Sequence, residues 1–546
     1  MSARRFLAPA AVVLAAVLVY AGSPWNGFTL DDHLVVESNP VVTGDAPVVR
    51  ALVEPWHPHA GSAYLVWRPL TTMSFALQWR AHGGEAWAFH VVNVLLHALA
   101  SLLAFRLARA LVPGRPRAAM LAGVAFAVHA IHTDAVSSIV GRAEVLAACF
   151  AFASFLAWHR WVAGGGTGTL VAAGIAFLLG LLGKESAGPL PLFAAAWVFV
   201  ARRRGEAAAR PGRLLAGWAA AFALPAAAYA VARWNALDTL VSPAGHYFAD
   251  IDAWRAFLTM AGVGARYVAL LVVPWPLAPD YSFESIPIAG SPLEPWTAAG
   301  LVLLPAALAG ATALPALARG RAAGAGLGLA WLAVFMLPAS NVVPLTVPMA
   351  ERLVYVGSAG ACIAAGAALD ATIDRLRLPG LVLAATWIVV LAALAADRDR
   401  AWRDDATLWT DAVAVHPRSA LGWANLGQAL AAEGRAPAAV AALHRALEVA
   451  PGKWEFRVAL ADILHQSGLH RDEADALREG ARLAGGVPPD PARLCAALVE
   501  VGDVPDPTEC VREHSALSPG PHGRRSRTTP VETRTPPSRP ARPQGH

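Results

Sequence analysis

The chain has 546 residues, 56% of them apolar and only 15% charged, with a net charge of +5 and four cysteines. Soluble globular chains carry about 25% charged residues, so the composition excludes an ordinary soluble protein and makes lipid the solvent for most of the sequence. The positive excess sits in short basic loops and a basic tail rather than in a continuous patch, so it gives no footprint for nucleic acid.

The first apolar run, FLAPAAVVLAAVLVYAG at residues 6–22, follows Arg4 and Arg5. It is long enough to cross a bilayer. No small-x-small cleavage site stands clear of Tyr20 and Pro24, so it reads as a retained anchor rather than a signal peptide. Apolar runs recur near 88–112, 118–133, 139–159, 168–182, 186–201, 214–232, 257–274, 297–318, 325–340, 350–368 and 380–396. Their alanine and glycine richness suits close helix packing in lipid. With a cytoplasmic N-terminus, the basic connections PGRPR, WHRW and ARRRGEAAARPGR all fall inside, as the positive-inside rule requires. The loops TLDDH, HTDAVSS and GKES then fall outside together. A crossing at 257–274 would turn ARGRAAG and DRLRLPG outward. That run, with Arg266 at its middle, is therefore expected to lie at the membrane surface, which leaves eleven crossings.

From residue 397 the composition turns soluble. Trp423, Leu426, Gly427, Ala439, Ala446 and Pro451 occupy the positions of the 34-residue tetratricopeptide (TPR) pattern, in which small residues let two helices approach and proline ends the second. Pro417 and Pro451 are 34 residues apart, as are Gly434 and Gly468. Degenerate units precede and follow, and about three units suffice for a stable stack. The expected architecture is all-α: a polytopic membrane helix bundle at 1–396, TPR-like repeats at 397–485 on the extracytoplasmic side, a short extension at 486–512, and a tail at 513–546. That tail, rich in Pro, Arg, Ser and Thr, is expected to be disordered. Cys149 and Cys362 lie in apolar runs, whereas Cys495 and Cys510 can pair in an oxidising compartment.

Ionisable groups beside membrane spans are costly, so function is the default reading. The outward loops collect Asp31, Asp32 and His33, then Arg68, His90, His132, Asp134, Arg142, Glu144, Lys184, Glu185, Glu351 and Arg352. Taken singly, each has an ordinary explanation: a snorkelling anchor, an internal ion pair, a helix-to-helix hydrogen bond or a capping turn. Gathered at one face, they suit an anionic substrate. A lipid-linked phosphate needs cations, and arginine fits its oxygens through a planar fork. A hydroxyl acceptor needs a carboxylate within hydrogen-bond reach, and the departing phosphate needs positive charge. Asp31 or Asp32 is the candidate base; Arg68, Arg142, Lys184 and Arg352 are the candidate phosphate ligands. Asp134, Glu144, Glu185 and Glu351 are candidates to orient those cations, with His33, His90 and His132 in support. Asp32, Arg142 and Arg352 are expected to converge. The Asp pair could also hold a divalent cation with a phosphate oxygen, although the remaining oxygen ligands cannot be assembled from sequence.

The blocks LDDHLVVESNPVV, WRPLTTMSFALQW, FHVVNVLLHALAS, HAIHTDAVSSIVGRAEVLAACF, LLGKESAGPLPL, LAPDYSFESIP and SNVVPLTVPMAERLVYVGSAG occur in that order ahead of the repeats. Over roughly residues 5–480 this order resembles the transmembrane-and-TPR-containing protein O-mannosyltransferases, which have the C-type glycosyltransferase fold. The resemblance implies a polyprenyl-phosphate-linked sugar donor, with mannose as the sugar, and a catalytic acid in the first external loop. It also implies repeats that hold an acceptor protein. The chain departs from the family in its short repeat array and in HTD where many members read HTE. Its alanine and arginine bias points to a GC-rich bacterium, hence to the inner membrane. The competing reading is a non-catalytic membrane scaffold whose repeats recruit envelope proteins. A transporter of lipid-linked sugars would need polar groups along a path rather than at one face.

Overall fold

The computed structural model describes residues 3–56, 66–205, 210–240, 247–281, 285–343, 345–484 and 490–516. Every regular element among the described residues is helical. Two compact units divide the chain, Met1–Val449 and the remainder from Ala450.

The first unit opens with α1 (Ala3–Val19), α2 (Pro40–Thr43), α3 (Pro69–His82), α4 (Ala86–Leu111), α5 (Pro116–Val128), α6 (Thr133–Val136), α7 (Arg142–Val162) and α8 (Thr167–Gly183). It continues with α9 (Leu190–Arg203), α10 (Pro211–Trp218), α11 (Leu224–Leu237), α12 (Ala253–Val272), α13 (Pro295–Leu317), α14 (Gly320–Phe335), α15 (Tyr355–Leu376) and α16 (Leu378–Ala401). Proline stands at the first turn of many of them, where its missing N–H costs nothing.

Eight helices among the described residues are long and apolar enough to cross a membrane, with α10 and α11 running as one. The bent pair α5–α6, turned through 48° at His129, would make nine. Sequence charge counting predicts eleven crossings. The difference lies in α12, which joins the eight, and in short helices that do not: α8 and α14 are apolar but have only 17 and 16 residues, roughly 25 Å at 1.5 Å per residue, and α9 has 14. The run expected to stay at the surface is the straight 20-residue α12, itself long and apolar enough to cross. Its Arg266 lies 4.9 Å from the Trp296 ring, in contact with an aromatic face rather than bare in an apolar stripe.

Glycine sets the closest helix approaches. A Cβ on Gly360 of α15 would stand 2.2 Å from the Gly328 carbonyl oxygen of α14, and one on Gly300 of α13 would stand 1.9 Å from the Ala261 oxygen of α12. Around these seams aromatic rings fill the core. Trp331 of α14, fully buried, packs edge-on to Phe155 of α7 and Phe193 of α9 at 5.8 and 4.8 Å between centroids.

Two loops and the end of α16 are tied by one buried acid. Asp399 Oδ1 accepts hydrogen bonds from Ser23 Oγ at 2.7 Å and Ser137 Oγ at 2.6 Å, while Asn26 Nδ2 donates to the Asp399 carbonyl at 3.3 Å. Beyond it come α17 (Asp405–Val415), α18 (Ala420–Ala432) and α19 (Ala436–Val449). The Asp404 side chain caps α17 by accepting from Thr407 N, and Ser419 caps α18 by accepting from Gly422 N. A Cβ on Gly427 would meet Leu443 Cγ at 2.8 Å, so α18 and α19 touch through a glycine and the buried Ala439 and Ala446.

In the second unit α20 (Trp454–Gln466) and α21 (His470–Leu483) form a hairpin closed over Leu460, Ala461, Ala474 and Leu477. It is followed by α22 (Pro491–Glu500) and α23 (Pro507–Ala516), which the Cys495–Cys510 disulfide joins. The tail expected to be disordered from residue 513 is helical as far as Ala516. From residue 517 that expectation, like residues 486–489 of the extension, lies outside the described residues.

Candidate functional site: a mixed-charge cluster at helix ends

The two adjacent carboxylates after α1 have opposite surroundings. Asp32 is fully buried: its Oδ2 accepts from Thr29 N at 3.1 Å and Ile139 N at 3.3 Å, and its Oδ1 accepts from Val140 N at 2.8 Å. The 139–141 backbone can come this close because residue 141 is glycine; a Cβ there would lie 2.4 Å from the Ala135 oxygen. Burial pushes the Asp32 carboxyl up to about 7, against the pull of its three N–H donors. Asp31 is exposed, and its side chain has no hydrogen-bond partner among the described residues.

His33 fixes this loop from the far end of the bundle sequence. Its Nδ1 meets Glu37 and its Nε2 lies 2.8 Å from Asp405 Oδ2 at the start of α17. The hydrogen bond to Asp405, with help from Glu37, raises the imidazole to about 9. Asp405 Oδ1 also accepts from Leu30 N at 2.9 Å. Leu30 sits at φ 53°, a conformation that costs a residue with a Cβ energy and is held here by that bond. Gly27 N donates to the Arg403 oxygen at 2.8 Å, completing a clamp of residues 403–405 on the first loop.

The cations form a mutually interacting group, and Asp31 acts electrostatically on one of them, Arg352. Arg352, at the start of the turn leading into α15, is one-third exposed; its backbone N–H donates to Asp134 Oδ2 at 3.0 Å and its Nη1 lies 3.3 Å from the same oxygen. Asp31 and Glu144 both act on Arg352 electrostatically. Lys184, after α8, holds Glu144 Oε1 at 2.6 Å, while Ser186 Oγ donates to Glu144 Oε2 at 2.6 Å. Burial lowers the Lys184 ammonium below its usual range, and although Glu144 opposes this, Arg68 and Arg352 add to it. Arg68 precedes α3, stacks on Trp56 at 5.0 Å and reaches to 3.9 Å from Glu185 Oε2. Its Nε is shielded from solvent with no hydrogen-bond partner among the described residues. Glu185 is further bound by Arg233 of α11 and approached by the Tyr229 hydroxyl at 3.4 Å. Burial alone would raise the Glu185 carboxyl, but Arg68 and Arg233 hold it below its usual value.

Several sequence-predicted residues stand apart from this exposed group. The expected convergence of Asp32, Arg142 and Arg352 divides: Arg142 and Asp32 act on each other electrostatically but both are sealed, whereas the part-exposed Arg352 is paired with Asp134 and influenced by Asp31. Arg142 donates from Nε to Asn93 Oδ1 at 2.7 Å and from Nη2 to the Phe89 oxygen at 3.1 Å, under the Phe75 ring at 4.5 Å. His90 lies 3.2 Å from the Gly27 oxygen, and His132 spans the Phe126 oxygen and Ser358 Oγ at 2.9 and 2.7 Å. Glu351 is buried, accepting from Ala278 N at 2.6 Å and Tyr281 Oη at 2.7 Å. Sequence reading missed Asp399, Asp405, Tyr229 and Arg233. The first two sit in DRDRAWRDD, a dense charge run across the end of α16 and the start of α17 that was legible as a charged segment.

A divalent cation shared by the Asp pair does not fit these residues, since both Asp32 oxygens already accept backbone N–H bonds. No step below runs through one.

An all-helical bundle with several membrane-length helices and a cluster of paired acids and bases at helix ends defines the class: a multi-pass membrane protein with a polar site. No protein-family model matches the sequence. Mouse protein O-mannosyl-transferase TMTC4 is 27% identical over 496 residues, 80% of this chain and 65% of that protein. Human TMTC4 is 27% identical over 506 residues, again 80% and 65%. Drosophila Tmtc2 reaches 38% over 183 residues, 32% of this chain and 19% of that protein. The chain is thus a homologue of the TMTC protein O-mannosyl-transferases, and it spans just under two-thirds of the length of the mammalian relatives.

Proposed function

We propose that the chain is a membrane glycosyltransferase that moves a sugar from a polyprenyl-phosphate donor to a hydroxyl group of an envelope or secreted protein. The reading places this chemistry at the extracytoplasmic face of a bacterial inner membrane, with mannose as the sugar indicated by the relatives' names. The observation that carries it is an accessible carboxylate, Asp31, within electrostatic reach of the part-exposed Arg352, which in turn acts on Lys184 together with Arg68.

In this reading Asp31 accepts the proton of the acceptor hydroxyl as its oxygen attacks the anomeric carbon. The bond between that carbon and the phosphate oxygen breaks, its electron pair leaving with the polyprenyl phosphate. Arg68, Lys184 and Arg352 neutralise the phosphate as its charge grows. Arg68 is the best placed to gain a partner, because its Nε has none. Glu144, Asp134 and Glu185 hold these cations in position, and Asp32 and Arg142 shape the loops beneath. The membrane domain at 1–396 carries this site, and the helices from 397 form the TPR-like repeats that hold the acceptor. The Cys495–Cys510 disulfide supports an oxidising compartment for that region.

The test is direct. Purified protein is incubated with a panel of labelled polyprenyl-phosphate sugars and envelope proteins, beside its Asp31→Asn variant. Transfer that depends on Asp31 supports the reading. A protein that transfers no sugar, yet still recruits envelope partners when Asp31 is replaced, is a scaffold instead.

A further inference from the structure

Far along the sequence from the proposed transfer site, the second unit gathers four groups that the transfer reading does not use. His465 ends α20, His470 and Glu473 stand one turn apart on α21, and Glu500 ends α22. Between the histidines the chain reverses through Gly468 at φ 72°, a left-handed turn that glycine adopts freely and that aims both imidazoles the same way. One ligand atom from each of the four residues lies within 4.8 Å of all the others. We propose that His465, His470, Glu473 and Glu500 form a binding site for a zinc-class divalent cation that pins α20, α21 and α22 together.

The distances suit such an ion. Glu473 Oε2 lies 2.8 Å from His465 Nδ1 and 3.6 Å from His470 Nδ1, which is 3.0 Å from Glu500 Oε2. Donors about 2.0–2.1 Å from a tetrahedral zinc stand roughly 3.3–3.4 Å from one another, so these three spacings lie close to the edges of that tetrahedron and the others would close to them from within 4.8 Å. Two imidazoles and two carboxylates favour zinc over magnesium or calcium, which take all-oxygen sets.

Two further observations suit a cation at this position. The Glu473 side chain is only 2% exposed; its Oε1 faces Arg493 Nη2 at 3.5 Å while Oε2 turns to the histidines. His470 Nδ1 is shielded from solvent and makes no hydrogen bond with acceptable geometry. A metal ion would satisfy both. Arg493, itself paired with Asp462, would then supply the outer support that fixes a ligating carboxylate. A unit of this size gains from such a staple, because its core alone is small.

The experiment uses full-length protein in detergent, stripped by a chelator and dialysed against cobalt(II) or zinc(II). The expected result is one equivalent bound with the visible absorption of four-coordinate cobalt, bleached by zinc. The His465→Ala/His470→Ala variant should lose that equivalent and its spectrum. Glu500→Gln, at the exposed edge and so gentle on folding, should weaken binding at least tenfold, in line with or beyond the roughly 10–100-fold cost of outer-shell changes. Asp462→Asn, which removes no ligand, should keep the equivalent. Retention of stoichiometry and spectrum in the double variant, or no cobalt held at micromolar concentration by the unaltered chain, overturns the proposal. Since neither readout involves sugar transfer, the outcome leaves the Asp31 reading untouched.

Discussion

Replacing Asp31 with asparagine removes the one exposed carboxylate of the DDH loop without disturbing any side-chain hydrogen bond among the described residues. Transfer should fall about 10²–10⁴-fold, the usual worth of a general base, with the melting temperature unchanged. Asp32→Asn should do the reverse. An amide cannot accept three N–H bonds with both of its ends, so at least one buried donor goes unpaired, at about 1–3 kcal/mol, and activity falls only as the loop loosens. Parallel assays of labelled sugar transfer and thermal unfolding separate the two. pH adds a third measurement through His33. Its folded value, raised to about 9, lies above the ordinary 6.5. The stability from its pairing with Asp405 is therefore complete below about pH 6.5 and lost as pH rises through 9. Half of the ring is in water, so screening holds the gain to about 1 kcal/mol. Melting temperatures should decline across that window in the unaltered chain, and the His33-dependent part of the decline should vanish in Asp405→Asn. At this scale the sequence marked the charged loops but could not rank their members. Asp31 and Asp32 are neighbours with the same side chain, and only the 139–141 backbone, brought up by the Gly141 turn, decides which one is buried.

Among the elements, α14 and α15 meet so closely that their seam admits no side chain at Gly360. Gly360→Val should push the two helices apart and loosen the α15 segment behind Arg352, where Ser358 binds His132. The expected outcome is a loss of several degrees in melting temperature with transfer reduced alongside. Ala368→Val, on the exposed side of the same helix, serves as the comparison; if Gly360→Val melts no lower than it, the seam is not a tight one. Glycine richness announced close packing in the sequence, but the pairing of Gly328 with Gly360 depends on which helices become neighbours, and periodicity does not carry that. The helix at 253–272 illustrates the converse. The basic loops that follow it, with Arg266 at its middle, made the run read as a surface segment, whereas α12 is long and apolar enough to cross and the Arg266 guanidinium lies against Trp296. Conversely, Asp404 and Ser419 stand at the N-caps of α17 and α18, positions that favour such short polar side chains, and the helices from 405 onward lie where the sequence turns soluble.

For the whole molecule, the all-helical class and the apolar runs were legible because lipid forces every backbone N–H and C=O to pair within its own helix. The distribution of structure into compact units was less so. The first unit runs to Val449 and contains α17–α19, because Asp405 holds the Leu30 loop and Ser419 Oγ donates to Asp280 Oδ2 at 2.6 Å, contacts between residues far apart in sequence. A chain ending after Val449 therefore keeps all of these bonds and the main apolar core, whose members lie within the first 449 residues. It should remain folded in detergent with its melting temperature within a few degrees of the full chain. If the repeat helices from Ala450 onward present the acceptor, the truncated chain should transfer sugar to a whole envelope protein at least tenfold more slowly while using a short hydroxyl-bearing peptide at the full rate. That contrast, read with one donor and two acceptors, separates a helper surface from the catalytic bundle. Equal slowing on both acceptors would assign the segment from Ala450 to the integrity of the transfer site instead.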